Sequence, residues 1–297
     1  MDERQAIEDA LNRALALAEH SDSPPRLAAA MRHAVFPGGA RIRPRLTMAV
    51  AVACRPDSAK VAASAAAAIE LLHCASLVHD DMPEFDDAAT RRGKPAVHVA
   101  FGAPLALLAG DALIVLAFQA LAQGAAHVPG RLAGMMHAVA SAVGVPHGIV
   151  AGQAWECEPE ADLAAYQQAK TGALFAAATE AGAAAAGFPA APWRALGAHL
   201  GEAYQVADDI RDAVCTEAEL GKPVGQDAAH GRPNAVHRLG LNGAVARLEH
   251  LAAQAAASLP VCPGAEMLRG LIRQESQRLL PPVLADALRA KAEQVAA

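Results

Sequence analysis

The chain has 297 residues, enough for one large domain with a sizeable core. Hydrophobic residues make up 54% and aromatic ones only 3%, so much of the apolar share is alanine, which predicts closely packed helices. A net charge of −6 excludes a general basic surface for nucleic acid, so an anionic small molecule must be met by a local patch of cations.

Residues 3–19 carry Ile7, Leu11, Leu15 and Ala18 on one face and predict an amphipathic helix. The polar start, Met1-Asp2-Glu3-Arg4, predicts no signal peptide. Ser21 to Pro25 reads as a loop, followed by a short helix to about Val35, which Pro37-Gly38-Gly39 ends. Ala40-Arg41-Ile42-Arg43-Pro44-Arg45 then places three arginines within five residues. Such a knot could hold a diphosphate or could be a solvated helix start; the apolar residues that follow at once favour the first.

Ser58 to Met82 predicts one long alanine-rich helix, with His73, Leu77 and Asp80 on a single stripe. At its end Asp80, Asp81, Glu84, Asp86 and Asp87 put five acidic groups within eight residues. Like charges this close repel, and water, basic side chains or a divalent cation must offset them. Mg²⁺ takes oxygen ligands and bridges to substrate phosphates, which would make Arg91 and Arg92 a second anion clamp. Alone, the stretch fits a solvated acidic turn equally well. Asp86 lies beyond Pro83, so a loop must fold it back if it is to share a cation with Asp80.

Leu105 to Gln123 predicts a buried helix carrying Asp111. Leu132 to Trp155 contains no Asp, Glu, Lys or Arg, but glycines and Pro146 interrupt it, so buried helices with a break are expected rather than an integral membrane segment. Glu156 to Asp162 reads as an acidic connection, and Asp162 to Gly187 as a helix containing Lys170-Thr171-Gly172. Lys170 either snorkels at the surface or reaches an anion in the core. The next helix runs to about Ala213, with Gln205, Asp208 and Asp212 on one face and Asp209 adjacent. Carboxylates in an apolar helix are costly unless paired or metal-bound, and Asp208 and Asp212, one turn apart, can meet one cation. Cys215 to Asn234 is long and polar, a candidate lid whose Lys222 and Arg232 could close over an anion. The remainder reads as helices interrupted at Pro260 to Gly264 and at Pro281-Pro282. No repeat or linker divides the chain, so a single domain over 1–297 is expected. The cysteines (Cys54, Cys74, Cys157, Cys215, Cys262) are scattered without a Cys-x-x-Cys pair, as suits reduced thiols and a cytoplasmic location.

Two aspartate clusters on separate helices, with Arg43, Arg91, Arg92, Lys170, Lys222 and Arg232 distributed around them, suggest an all-α bundle holding Mg²⁺ and a diphosphate across a central cavity. Metals would stabilise the diphosphate as a leaving group. No Ser-His-Asp or Cys-His nucleophile is obvious, and an ionising diphosphate needs none.

The sequence resembles the trans-isoprenyl diphosphate synthase (polyprenyl synthetase) family. The first aspartate-rich motif is Asp80-Asp81-Met82-Pro83-Glu84-Phe85-Asp86, followed by Arg91-Arg92-Gly93-Lys94-Pro95. The second is Tyr204-Gln205-Val206-Ala207-Asp208-Asp209-Ile210-Arg211-Asp212, with Gly110-Asp111, Gly152-Gln153 and Lys170-Thr171-Gly172 between them in the family's order. The match covers roughly residues 30–240. It implies an isoprenoid-synthase-type bundle, usually a homodimer, with three Mg²⁺ in the active site. By this resemblance Asp80, Asp86 and Asp208 would be direct Mg²⁺ ligands, with Asp81, Asp209 and Asp212 acting directly or through water. Arg91, Lys170 and Lys222 would hold the allylic diphosphate; Arg43, His73 and Arg92 would hold isopentenyl diphosphate. Thr171 and Gln205 would lie near the forming allylic cation. The resemblance also places Ala75, with Ser76 beside it, at the floor of the product pocket. A floor this small implies geranylgeranyl diphosphate (C20) rather than farnesyl diphosphate (C15).

Two departures stand out. Ala40 occupies the place of the family's usual lysine, leaving Arg41 or Arg45 to compensate, and Gly231-Arg232-Pro233-Asn234 replaces a Gly-Lys-Ser/Thr-Thr pattern. Bacterial geranylgeranyl diphosphate synthases of the carotenoid branch look similar at both places. Three other readings compete. A class I terpene cyclase would need a different second metal motif from Asp208-Asp209-Ile210-Arg211-Asp212. A non-catalytic partner subunit tends to lose aspartates that this chain keeps. A di-iron bundle would need a second Glu-x-x-His beside Glu70-Leu71-Leu72-His73, and the chain has none.

Overall fold

In the computed structural model, residues 3–36, 38–160, 166, 168–215 and 234–279 are described. A helix that is apolar on every side must be enclosed. Accordingly α9 (Ala173–Ala185) is buried at every position. Beside it runs α4 (Ala59–Asp80), which places Val61, Ile69, Leu71, Leu72, Ala75 and Val78 in the core. Around α4 pack α1 (Glu3–Ala16), α2 (Pro25–Val35), α3 (Ile42–Cys54), α6 (Ala103–Gly124) and α7 (Leu132–Val143). The short helices α5 (Val97–Phe101) and α8 (Ile149–Trp155) complete this half.

On the other side lie α10 (Arg194–Val214), α11 (Ala235–Ala257) and α12 (Ala265–Leu279). The helix α10 sets Ala203, Val206, Ala207 and Ile210 against Ala244, Val245, Leu248 and Leu251 of α11. Trp193, fully enclosed, gathers Leu196, Leu259, Leu268 and Ile272 into a second apolar cluster. Asn234 caps α11, its side chain accepting from the backbone of Val236 and His237. One antiparallel hairpin, β1 (Thr90–Arg91) and β2 (Lys94–Pro95), follows the acidic stretch. Its turn residues Arg92 and Gly93 have φ of 54° and 75°, the left-handed pair that a two-residue hairpin turn requires.

Two expectations need correction. The helix expected from Asp162 to Gly187 is not one α-helix among the described residues: Gln168–Gly172 forms a π-helical turn, and only then does α9 begin. Alanine-rich sequence has too little periodicity to reveal this. The helix expected to be buried over Leu105 to Gln123 is α6, but it lies at the edge of the bundle. Its Ala106, Ala109, Leu113, Leu116 and Ala117 face inward, while Leu107, Leu108 and Val115 are 48%, 50% and 57% exposed and Asp111 faces out with them. The candidate lid, with Lys222 and Arg232, and Pro281-Pro282 lie outside the described residues.

Two stretches, Pro56–Asp80 and Ala103–Gly124, are long and apolar enough to cross a membrane. The first is 78% buried inside the fold, so its apolarity serves the core. No such span falls on Leu132 to Trp155 among the described residues, and α7 and α8 divide that stretch as expected.

Candidate active site

The first cluster is built where α4 ends, and three consecutive residues there are held by four different elements. His79 Nε2 lies 3.4 Å from the Leu107 carbonyl of α6. Asp80 accepts from Gln153 Nε2 of α8 at 2.9 Å and from Lys170 Nζ of the π turn at 3.1 Å. Asp81, 2% exposed, is clasped by the Arg91 guanidinium from β1, with Nε 2.9 Å from Oδ1. Burial pushes the Asp81 carboxyl above its usual range, and Arg91 opposes that shift. The loop past Pro83 does fold Asp86 back: its backbone N–H donates to the Asp80 carbonyl at 3.0 Å.

Glu156, read from sequence only as part of an acidic connection, belongs to this cluster. Carboxylate oxygens of Asp80, Asp86 and Glu156 lie within 4.8 Å of one another, a donor set of hard oxygens that suits Mg²⁺. Glu156 also accepts from Lys170 Nζ and Tyr166 Oη, each at 2.5 Å. The available signal was its place three residues after Gln153, which sets both on one side of α8 and its C-cap. At Gly152 an added Cβ would lie 2.6 Å from the Lys170 backbone nitrogen, so glycine lets α8 and the π turn meet backbone to backbone. The raised pKa of Lys170 reflects Asp80 and Glu156 outweighing burial, which alone would lower it, so the ammonium stays charged.

The second cluster lies on α10. Asp208 accepts from Arg211 Nη2 at 3.3 Å, and Asp212 is half-buried one turn further on. Asp209 is 3% exposed and accepts from Gln205 Nε2 at 3.1 Å and from the Ala235 N–H at 2.7 Å. Thr171 Oγ1 donates to Gln205 Oε1 at 3.3 Å. A continuous path therefore joins the clusters, from Asp80 through Lys170, Thr171 and Gln205 to Asp209. A cavity of about 520 Å³ opens beside Thr171, Gln205 and Asp209.

Cations form a third wall. The Arg43 guanidinium lies 4.5 Å over the Phe175 ring, with Nη1 3.4 Å from His73 Nε2. Its buried Nε has no hydrogen-bond partner among the described residues, an orphaned donor of the kind an oxyanion satisfies. Burial, then the charges of Arg43 and Arg92, hold the His73 imidazole well below its usual range, so it is neutral near pH 7. The Arg92 guanidinium rests against Gly39, 3.1 Å from where a Cβ would stand. Both arginines expected to compensate for Ala40 already have carboxylate partners. Arg41 is buried against Glu8 and Glu70, at 2.9 and 2.6 Å, and Arg45 reaches Glu275 at 3.1 Å. The same contact accounts for the Glu70 of the Glu-x-x-His pattern, which is an ion-pair partner. Ala75 is buried in the core five residues before Asp80, and half-buried Ser76 donates to the His73 carbonyl.

Carboxylates at the ends of α4 and α8, bridged by a lysine and faced by arginines, are a set that suits a divalent cation and an anionic ligand in an all-α bundle. The polyprenyl synthetase family model matches residues 24–258, and the chain belongs to that family of prenyltransferases. It is 53% identical to a geranylgeranyl diphosphate synthase of Cereibacter sphaeroides over 95% of this chain and 98% of that one. It is 50% identical to one of Rhodobacter capsulatus, over 92% and 95%. The fold is similar to a geranyltransferase from Helicobacter pylori complexed with magnesium and isoprenyl diphosphate. There the TM-score is 0.74 at 27% identity, covering 93% of this chain and 97% of that one. The family binds Mg²⁺ at its aspartate-rich motifs, which here are Asp80 to Asp86 and Asp208 to Asp212.

Proposed function

We propose that this chain, as a single domain over 1–297, is a short-chain trans-prenyltransferase that condenses an allylic diphosphate with isopentenyl diphosphate and makes geranylgeranyl diphosphate. The 53% identity to a geranylgeranyl diphosphate synthase across nearly the whole chain carries the reading. Bound Mg²⁺, three ions in this proposal, held by Asp80, Asp86, Asp208 and Asp212, would offset charge on the departing diphosphate.

The chain's own residues bind and orient. Arg91, Lys170 and Lys222 hold the allylic diphosphate, and Arg232 closes over an anion with Lys222; Arg43, Arg92 and neutral His73 hold isopentenyl diphosphate. Departure of the allylic diphosphate leaves a cation at its first carbon, beside Thr171 and Gln205, whose oxygens present partial negative charge. The isopentenyl double bond supplies the electron pair for the new carbon–carbon bond. A proton is then lost, to the released diphosphate, and a new double bond forms. Asp81, clasped by Arg91, and Asp209, held by Gln205 and the Ala235 N–H, keep their neighbours Asp80 and Asp208 in place. Small Ala75 and Ser76 set the depth available to the growing chain.

The exposed Leu107, Leu108 and Val115 face of α6 supports a homodimer, and reduced thiols support a cytoplasmic location. The deciding experiment is product analysis with Mg²⁺, isopentenyl diphosphate and C5, C10 and C15 starters. The expected product is C20; elongation of no starter would exclude the enzyme reading.

A further inference from the structure

Lys170 Nζ lies 2.5 Å from Glu156 Oε1 and 3.1 Å from Asp80 Oδ1, so an ammonium bridges two carboxylates. With Asp86, the same two carboxylates converge to within 4.8 Å, where one hard cation fits. Their aim is imposed rather than incidental. Gln153 Nε2 donates to both, at 2.9 Å to Asp80 and 3.4 Å to Glu156, and Tyr166 Oη donates to Glu156 at 2.5 Å. The Glu156 and Lys170 side chains are each 21% exposed, and Glu156 as a residue lies at the surface, open to an arriving cation. An ammonium and a divalent cation cannot both sit between the same oxygens.

We propose that Glu156 is a third carboxylate of the first metal site and that Lys170 holds the place of the divalent cation until that cation arrives. The proposal rests on the reading that Asp80 and Asp86 bind Mg²⁺ and that Lys170 holds diphosphate. The exchange breaks no covalent bond. It moves one ammonium from a carboxylate pair to an anionic substrate. Before loading, Lys170 offsets the repulsion within the acidic stretch. On loading, the cation takes over that task and Lys170 is released towards the diphosphate. Metal and diphosphate affinities are then coupled through one side chain, and the coupling is reciprocal. At Gly152 the α8 backbone meets that of Lys170, which fixes the point from which the lysine side chain starts.

The test is Mn²⁺ binding to the full chain without substrate, followed by the electron paramagnetic resonance signal of free Mn²⁺. Asp208→Asn and Asp212→Asn in the background restrict the readout to the first cluster. Glu156→Gln, which keeps shape and removes charge, is expected to weaken Mn²⁺ binding about tenfold. Lys170→Met, which removes the competing ammonium, is expected to tighten it about fivefold. Circular dichroism reports whether each variant is folded; should Glu156→Gln not fold, Lys170→Met decides alone. Mn²⁺ affinity unchanged in folded Glu156→Gln would overturn the carboxylate assignment. Unchanged or weaker binding in Lys170→Met would overturn the exchange. The wild-type product assay is separate, so a chain that elongates no starter would still give readable Mn²⁺ shifts.

Discussion

Arg41, Arg43 and Arg45 look alike in the sequence, and only burial separates their tasks. Arg41 sits at φ 51° before α3 and spends its guanidinium on Glu8, Glu70 and the Val35 carbonyl. Arg41→Ala would strand Glu70, 2% exposed, without its partner. Removing one side of such a pair costs about 3–5 kcal/mol, which a urea melt would show; a loss below about 1 kcal/mol would mean that water replaces the guanidinium easily. His73 adds a pH signature. Burial keeps its folded pKa well below the usual value, so below about pH 6.5 the unfolded chain takes up a proton that the folded chain resists. The stability it contributes is present above that pH and falls by up to about 1.4 kcal/mol per pH unit as the medium becomes more acidic. His73→Gln should flatten melting temperature against pH between about 6.5 and 5; parallel wild-type and variant curves would remove His73 as the cause. At the proposed floor, Ala75→Phe should shorten the product from C20 to C15. An unchanged product distribution would place the floor elsewhere.

At the scale of elements, α6 and the π turn are where helix periodicity misleads. A helix with apolar residues on every side reads as buried, yet α6 leaves Leu107, Leu108 and Val115 facing out. A second copy packed on that face would bury them. Leu108→Glu with Val115→Glu should halve the mass seen by light scattering, whereas an unchanged mass would move the dimer interface off α6. The π turn is illegible for a different reason: Gln168 to Gly172 has a helical composition, and its position depends on α8 pressing on it at Gly152. Gly152→Ala would force those backbones apart. A stability cost of about 1–3 kcal/mol is expected. Turnover should fall about a hundredfold through displaced Lys170 and Thr171, and wild-type turnover in a folded variant would show that the turn tolerates the shift.

At the scale of the whole molecule, the helices bury their own apolar faces, so the metal is needed by the site and not by the fold. Chelation should abolish turnover and leave the helical circular dichroism signal intact. Mg²⁺ at a hundred times its dissociation constant should add about 2.7 kcal/mol of stability; a chelated chain that unfolds would make the metal structural. The net charge of −6 and the acidic stretch set the sign of this effect, since a bound cation relieves repulsion that the empty site must offset with Lys170 and Arg91.

The sequence by itself determined the helical class and the two aspartate clusters. Those features are local: alanine content biases the backbone, and 3.6 residues per turn puts Asp208 and Asp212 on one face. Tertiary structure decided which cation meets which carboxylate. It turned Arg41 inward, gave Asp209 to Gln205 and the Ala235 N–H, and gave Asp81 to Arg91. It also brought Glu156 beside Asp80, a residue 76 positions earlier in the chain. Contacts across such separations depend on how the helices pack, and no periodicity along a single helix encodes them.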